Sequence, residues 1–181
     1  ERWDRELGDD LLGLAMDVAD TLGAETLTEL GFDQGFDVDR AYEFLKAIMA
    51  TRAQLVNTTT LQQIEAALSG DLAEDSVKAT PEGLFDEAEG TRSEQSGVTL
   101  ATTLAGVVMT EALRQTGRPG VTKTWITTSA NPRPAHKRMD GETVGLDEKY
   151  SNGMEWPGDL SGAGGDAAEI ANCSCISEMT I

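Results

Sequence analysis

Val121-Thr122-Lys123-Thr124-Trp125-Ile126-Thr127-Thr128 is the stretch on which the reading of the fold depends. Its β-branched and aromatic residues favour a strand. Alternation along a strand puts Val121, Lys123 and Trp125 on one face. Gly117 and Pro119-Gly120 punctuate the chain just ahead of it, and there the apolar period switches from 3.6 to 2. Ala171 to Ile181 reads as another strand. The expected class is therefore α+β: a helical region over residues 1–118, then a small, mainly antiparallel β-sheet domain over 119–181 with a long Gly/Pro-rich loop.

Upstream, Trp3, Leu7, Leu11, Leu14, Val18 and Leu22 recur at helical steps, with Gly23 as the expected stop. Val38, Ala41, Tyr42, Leu45, Ile48, Met49, Leu55 and Val56 predict a second helix that packs on the first, with Arg40, Glu43, Lys46 and Arg52 opposite. Asn57-Thr58-Thr59-Thr60 is expected to interrupt it. Thr59 and Gln62 then fit a capping box for a helix carrying Leu61, Ile64 and Leu68 that stops at Gly70. Thr80-Pro81 reads as an N-cap with proline in the first turn, leading into Leu84, Phe85 and Ala88. From about Arg92 to Thr116, Leu100, Leu104, Val107, Val108 and Leu113 predict a longer helix. Its threonines and Gly97 lower its propensity, so tertiary contacts must hold it.

A chain of 181 residues can bury a real core, as one domain or two small ones. It starts at Glu1, directly inside an amphipathic pattern, which is expected of a fragment of a longer protein. No run of 18 or more apolar residues occurs and no basic-then-apolar leader opens the sequence, so neither a membrane span nor an export signal is expected. Cys173 and Cys175 are too few and too close for a disulfide framework and read as thiols. A net charge of −18 argues against sequence-independent nucleic-acid binding, which needs clustered cations. The charge is unevenly spread, however. Between Glu111 and Asp140 there is no acidic residue, while Arg114, Arg118, Lys123, Arg133, Lys137 and Arg138 surround the only histidine, His136.

The same region carries an ordered set of short motifs: Lys123-Thr-Trp125, then Asn131-Pro-Arg133-Pro-Ala-His136, then Met139-Asp140-Gly141-Glu-Thr-Val144, and finally Asn172-Cys173-Ser-Cys175. Pro157-Gly158-Asp159 lies between the last two. In this order they resemble the C-terminal block of the Mu F-like minor head proteins of tailed bacteriophages. That block runs Lys-x-Trp, Asp-x-Arg-x-x-x-His, Asp-Gly, and, after a Gly- and Pro-rich loop, Asn-Cys-Arg-Cys. More loosely, the resemblance spans residues 35 to 178, including Val56-Asn57-Thr58-Thr59 and the Ala/Thr-rich helix before the strand. The sequence departs from the family where Asn131 replaces an acid, Ser174 an arginine, and Leu100 a glutamate.

The resemblance implies a minor capsid protein of the virion, required for head morphogenesis. Several copies would lie inside the phage head, associated with the portal or other capsid proteins, after assembly in the cytoplasm of the bacterial host. The motif residues are then Trp125, Arg133, His136, Asp140, Gly141, Asn172, Cys173 and Cys175. Contact with packaged DNA through the basic window would be weak and salt-sensitive, and an acidic protein surface is an equally good partner for it.

Two other readings stay open on the residues themselves. His136 as general base with Arg133 stabilising developing charge would suit a phosphate- or RNA-directed enzyme of nuclease or transferase type, although no second catalytic group stands out. Alternatively, His136, Cys173 and Cys175, with Asp140 as a fourth ligand, would suit Zn2+ in a metal-stabilised binding module. Against these stands a purely structural role, with the thiols as small buried hydrophobes and His136 as a hydrogen-bonded anchor for the loop. Trp125 and Trp156 read as core residues or interface anchors, and Asp140-Gly141 as a tight turn.

Overall fold

A computed structural model describes residues 2–70 and 80–181. Its order is α1 (Arg2–Glu29), a 3-10 turn (Val38–Ala41), α2 (Tyr42–Ser69), α3 (Pro81–Glu87), a π-type turn (Ala88–Arg92), α4 (Ser93–Thr116), β1 (Thr122–Ile126), α5 (Pro134–Met139), β2 (Thr143–Gly145), α6 (Ala167–Ile170) and β3 (Ile176–Thr180). The class is α+β: long helices first, then a three-stranded antiparallel sheet in the order β2-β1-β3. Two compact units divide the chain. One comprises residues 1–16 and 42–95, the other 17–41 and 96–181.

In the first unit, α1 lies against α2 at Gly8, where an added Cβ would make ordinary contact. A Cβ there would sit 3.7 Å from the Ala50 Cα and 3.8 Å from the Ala53 Cβ. Leu45, Met49 and Ala53 form the buried face of α2. The interruption expected at Asn57–Thr60 does not occur, and α2 runs unbroken to Ser69. The hydroxyls of Thr59 and Thr60 donate back to the carbonyls of Leu55 and Val56, both at 2.8 Å, so they are satisfied inside the helix rather than capping a new one. Asn57 is used too, its Nδ2 donating to Asp4 Oδ1 at 2.8 Å. The stop at Gly70 is where the sequence puts it, in a left-handed conformation (φ +71). Thr80 caps α3, its hydroxyl accepting from the Gly83 N–H at 3.2 Å. Arg92 ties the following turn to α2 through the Val56 carbonyl, Thr60 and Gln63.

The leucine stripe of α1 is not its buried line. Trp3 and Leu14 are exposed, while Ala15, Ala19, Gly23 and Leu27 are buried. Gly23 does not end the helix. In the second unit the Phe36 ring lies where a Gly23 side chain would be, 2.4 Å from a built Cβ, and the helix instead stops before Gly31 (φ +78). Small residues win these positions because they permit contact that a leucine would prevent.

The second unit centres on α4 and the sheet. Trp125, Met139, Tyr150, Met154, Ile170, Cys173 and Cys175 form one apolar cluster; Leu113, Val121, Leu146 and Met179 form another. The expected alternation holds, with Lys123 and Trp125 buried along β1 and Val121 just before it. The final strand is shorter than expected, because residues 171–172 form a turn and 173–175 run irregularly ahead of β3.

The threonines of α4 explain both its composition and its stability. Thr102 donates to the Cys173 carbonyl (2.5 Å), Thr103 donates to the Gly158 carbonyl (3.1 Å), and Thr99 accepts from the Asn172 N–H (2.8 Å). They form a polar seam that holds the long loop in place, consistent with a helix that tertiary contacts must support. Residues 82–116 together are long and apolar enough to match a membrane-spanning helix by composition. Yet non-helical geometry at Gly90 breaks the run, and half of its most apolar window is buried within the protein, as expected of a core helix.

Candidate functional site

The residues between β1 and β3 form an ordered framework. Pro134 starts α5, a short helix not anticipated in this loop-rich segment, which buries His136 and Met139 and leaves Lys137 and Arg138 exposed. The Asp140-Gly141 turn is real, with Gly141 at φ +84, but it joins α5 to β2 rather than closing a two-residue hairpin. The Gly141 N–H donates to the Trp125 carbonyl, and the Trp125 N–H donates to the Glu142 carbonyl, both at 2.8 Å. Further on, one buried carboxylate organises the loop. Asp159 Oδ1 accepts from Ser161 N, Ser161 Oγ and Gly162 N, each at 3.0 Å, and Oδ2 accepts from Glu155 N at 2.9 Å.

At the far end Asn172 takes a positive φ (52), a conformation that asparagine tolerates better than most residues. This turn delivers Cys173 and Cys175 to one side, both buried, with Ser174 between them partly exposed. They converge on His136, whose Nδ1 lies 3.6 Å from Cys173 Sγ and 3.5 Å from Cys175 Sγ. His136 is 2% exposed. Its other nitrogen, Nε2, has no hydrogen-bond partner among the described residues; Glu169 Oε2 lies 3.9 Å away. Trp125 closes the site from below, meeting the His136 ring edge-on at 5.3 Å and the Tyr150 ring at 5.1 Å.

The two thiols differ. The hydrogen bond between them, reinforced by burial, pushes Cys173 up. The same bond, aided by contact with His136 and opposed by burial, pulls Cys175 down to about 5. Above them opens a cleft of about 290 Å³ lined in part by Ser129, Asn131, Arg133, His136, Cys173 and Cys175.

Of the residues singled out in sequence, His136, Cys173, Cys175 and Trp125 come together. Asp140 does not join them, because its Oδ1 accepts from the Thr127 N–H at 2.8 Å. Arg133 reaches across to the Ala171 carbonyl (2.5 Å). Sequence reading missed Glu169 and Tyr150, and it placed Asp159 in the Pro157-Gly158-Asp159 turn without its role as the loop's organising carboxylate. Glu169 lies in a four-residue helix, and Asp159 among glycines, where no periodicity marks an inward residue.

The basic window also changes character. Arg114 pairs with Asp147 (2.7 Å) and Glu155 (3.3 Å), and these contacts raise its basicity against burial. Lys123 is fully buried, its Nζ donating to the Leu146 carbonyl at 2.8 Å and lying 5.5 Å from the Tyr150 ring centre. Of the window's cations, Arg118, Lys137 and Arg138 are exposed.

Burial, with the Arg114 charge nearby, pushes Lys123 down to about 8. The unfolded chain therefore binds the extra proton between about pH 8 and the ordinary lysine value, about 10.4. Stability from this group is fully present above the ordinary value and is lost as pH falls through 8, with an upper bound of about 3 kcal/mol. The expected result in urea unfolding is a wild-type stability that rises from pH ~8 to ~10 relative to Lys123→Met. Parallel pH profiles for the two proteins would contradict this.

Comparison with family models, with curated proteins and with solved structures found no match to this chain.

Proposed function

We propose that this chain is a minor head protein of a tailed bacteriophage, acting in head assembly at the portal rather than turning over a substrate. The reading rests on the motif resemblance, and one structural observation supports it. Trp125, His136, Cys173 and Cys175, spread over fifty positions, pack into one buried framework pinned to α4. Framework and turnover make different demands. A general base needs access to a substrate proton, whereas His136 is enclosed by two sulfurs and a tryptophan, and Arg133 is engaged with a backbone carbonyl.

The framework exposes Lys137 and Arg138 on α5. These are the groups offered to a partner, and an acidic face of a portal or capsid subunit is the complementary surface. With Arg114, Lys123 and Arg133 occupied internally, contact with packaged DNA would be weaker than the sequence count suggests.

Co-expression with a portal protein from the same genome tests the reading. The chain should copurify with portal oligomers, and the Lys137→Glu/Arg138→Glu double variant should bind about tenfold or more weakly. Failure to copurify with portal or capsid proteins would sink the proposal, as would a genomic neighbourhood without portal and capsid genes.

A further inference from the structure

We propose that His136 Nδ1, Cys173 Sγ and Cys175 Sγ bind one Zn2+, with Glu169 steadying the imidazole through Nε2 and the fourth position left to water from the cleft beside Arg133. The geometry argues first. Zinc bonds of about 2.3 Å to sulfur and 2.0–2.1 Å to nitrogen, at tetrahedral angles, put nitrogen and sulfur about 3.6 Å apart. The observed separations are 3.6 and 3.5 Å, and all three donor atoms lie within 4.8 Å of one another.

Hydrogen bonding reaches similar lengths: a protonated Nδ1 can donate to both sulfurs at once, or a bare one can accept from one thiol. Metal loading separates these from a shared ion, because only the ion draws all three donors into one tetrahedral shell.

Nε2 makes the second, independent argument. It is buried without a hydrogen-bond partner among the described residues, which is costly for an imidazole serving only as a packing group. Histidines that ligate metals direct the remaining ring N–H at a carboxylate, a backbone carbonyl or water. Glu169 Oε2, at 3.9 Å, is near enough to accept it after a small side-chain adjustment.

The donor set selects the metal class. Two thiolates and an imidazole suit Zn2+ or another thiophilic ion, and disfavour Mg2+ and Ca2+, which take oxygen ligands. Three protein ligands with the fourth position facing a cleft leave the coordination shell open, unlike a closed four-ligand structural site. The centre would be the same whatever assembly the chain joins.

The experiment is a titration of tag-free, reduced protein with Co2+, followed by displacement with Zn2+. The expected result is a near-ultraviolet thiolate charge-transfer band and intense visible bands of tetrahedral cobalt. These should saturate at one equivalent per chain and vanish when Zn2+ is added. Cys175→Ser and His136→Gln should each lose the saturable signal, while Asp140→Asn should retain it, since Asp140 holds the Thr127 N–H instead. The wild-type titration decides the matter even if a variant fails to fold. Weak octahedral bands only, or less than about a tenth of an equivalent of tetrahedral metal, would overturn the proposal. So would a thiolate band unchanged in folded Cys175→Ser.

Discussion

Trp125→Ala is expected to destabilise the sheet-bearing unit by about 3–5 kcal/mol, among the larger effects available to a single side chain. Trp125 is fully buried, and its apolar cluster includes both cysteines and Tyr150. Removing the indole leaves a cavity that this cluster cannot collapse into, because two of its neighbours are fixed elsewhere. His136 is held by α5, and Tyr150 by a 3.1 Å hydrogen bond to Ser177 on β3. Two edge-to-face ring contacts are lost as well, worth about 0.5–1.5 kcal/mol each. Domains of this size are stable by about 5–15 kcal/mol, so the variant would retain only a fraction of its folding free energy. Urea unfolding followed by circular dichroism measures it. A cost below about 1 kcal/mol would mean that Trp125 is not the keystone of the framework.

Gly158→Ala should cost about 2–4 kcal/mol, from two causes acting together. Gly158 has φ +86, where a side chain is strained. A Cβ there would also lie 2.7 Å from Thr103 Oγ1 and 3.1 Å from the Thr103 backbone nitrogen. The hydroxyl can rotate away only by giving up its bond to the Gly158 carbonyl, and the nitrogen belongs to α4 and cannot yield. Gly164→Ala separates the two causes. Gly164 also has a positive φ (+66), but a Cβ there meets nothing within 4 Å, so that variant carries the backbone strain alone, about 1–2 kcal/mol. Thermal melts of the two variants should differ clearly. Equal losses would show that the seam between α4 and the loop does not resist displacement.

Both predictions concern a part of the molecule that the sequence exposed unevenly. The strand of Trp125, the cap at Thr80, the stop at Gly70 and the α+β class followed from local signals, because alternation, capping chemistry and positive-φ glycines act over a few residues. The failures came where a local signal has two uses or where a distant contact decides. Asn57–Thr60 read as an interruption with Thr59 capping a new helix, yet the hydroxyls of Thr59 and Thr60 can also bond within a helix, and α2 continues through them. Gly23 read as a helix end, whereas its use is to admit Phe36, thirteen residues on.

The site shows the same division. Cys-x-Cys spacing made Cys173 and Cys175 a pair, and their approach to a histidine 37 and 39 residues earlier fitted the motif order. Asp140 was the natural fourth donor by type and nearness in sequence, but type does not fix direction, and it turns to the backbone of Thr127. Glu169 carried no signal, since one glutamate on a four-residue helix is indistinguishable from a solvated charge. The charge pattern misled in a similar way. Six cations in a row without an acid looked like a surface, and the fold buries Lys123 and pairs Arg114 with acids from Asp147 and Glu155, beyond the window.

Mass spectrometry of purified phage particles from cells that encode this chain tests the assembly role most directly. If the chain is a minor head protein, its peptides appear in the particles at several copies per portal, and also in heads isolated before tail attachment. Particles that lack the chain while it is abundant in the same lysate would contradict the account.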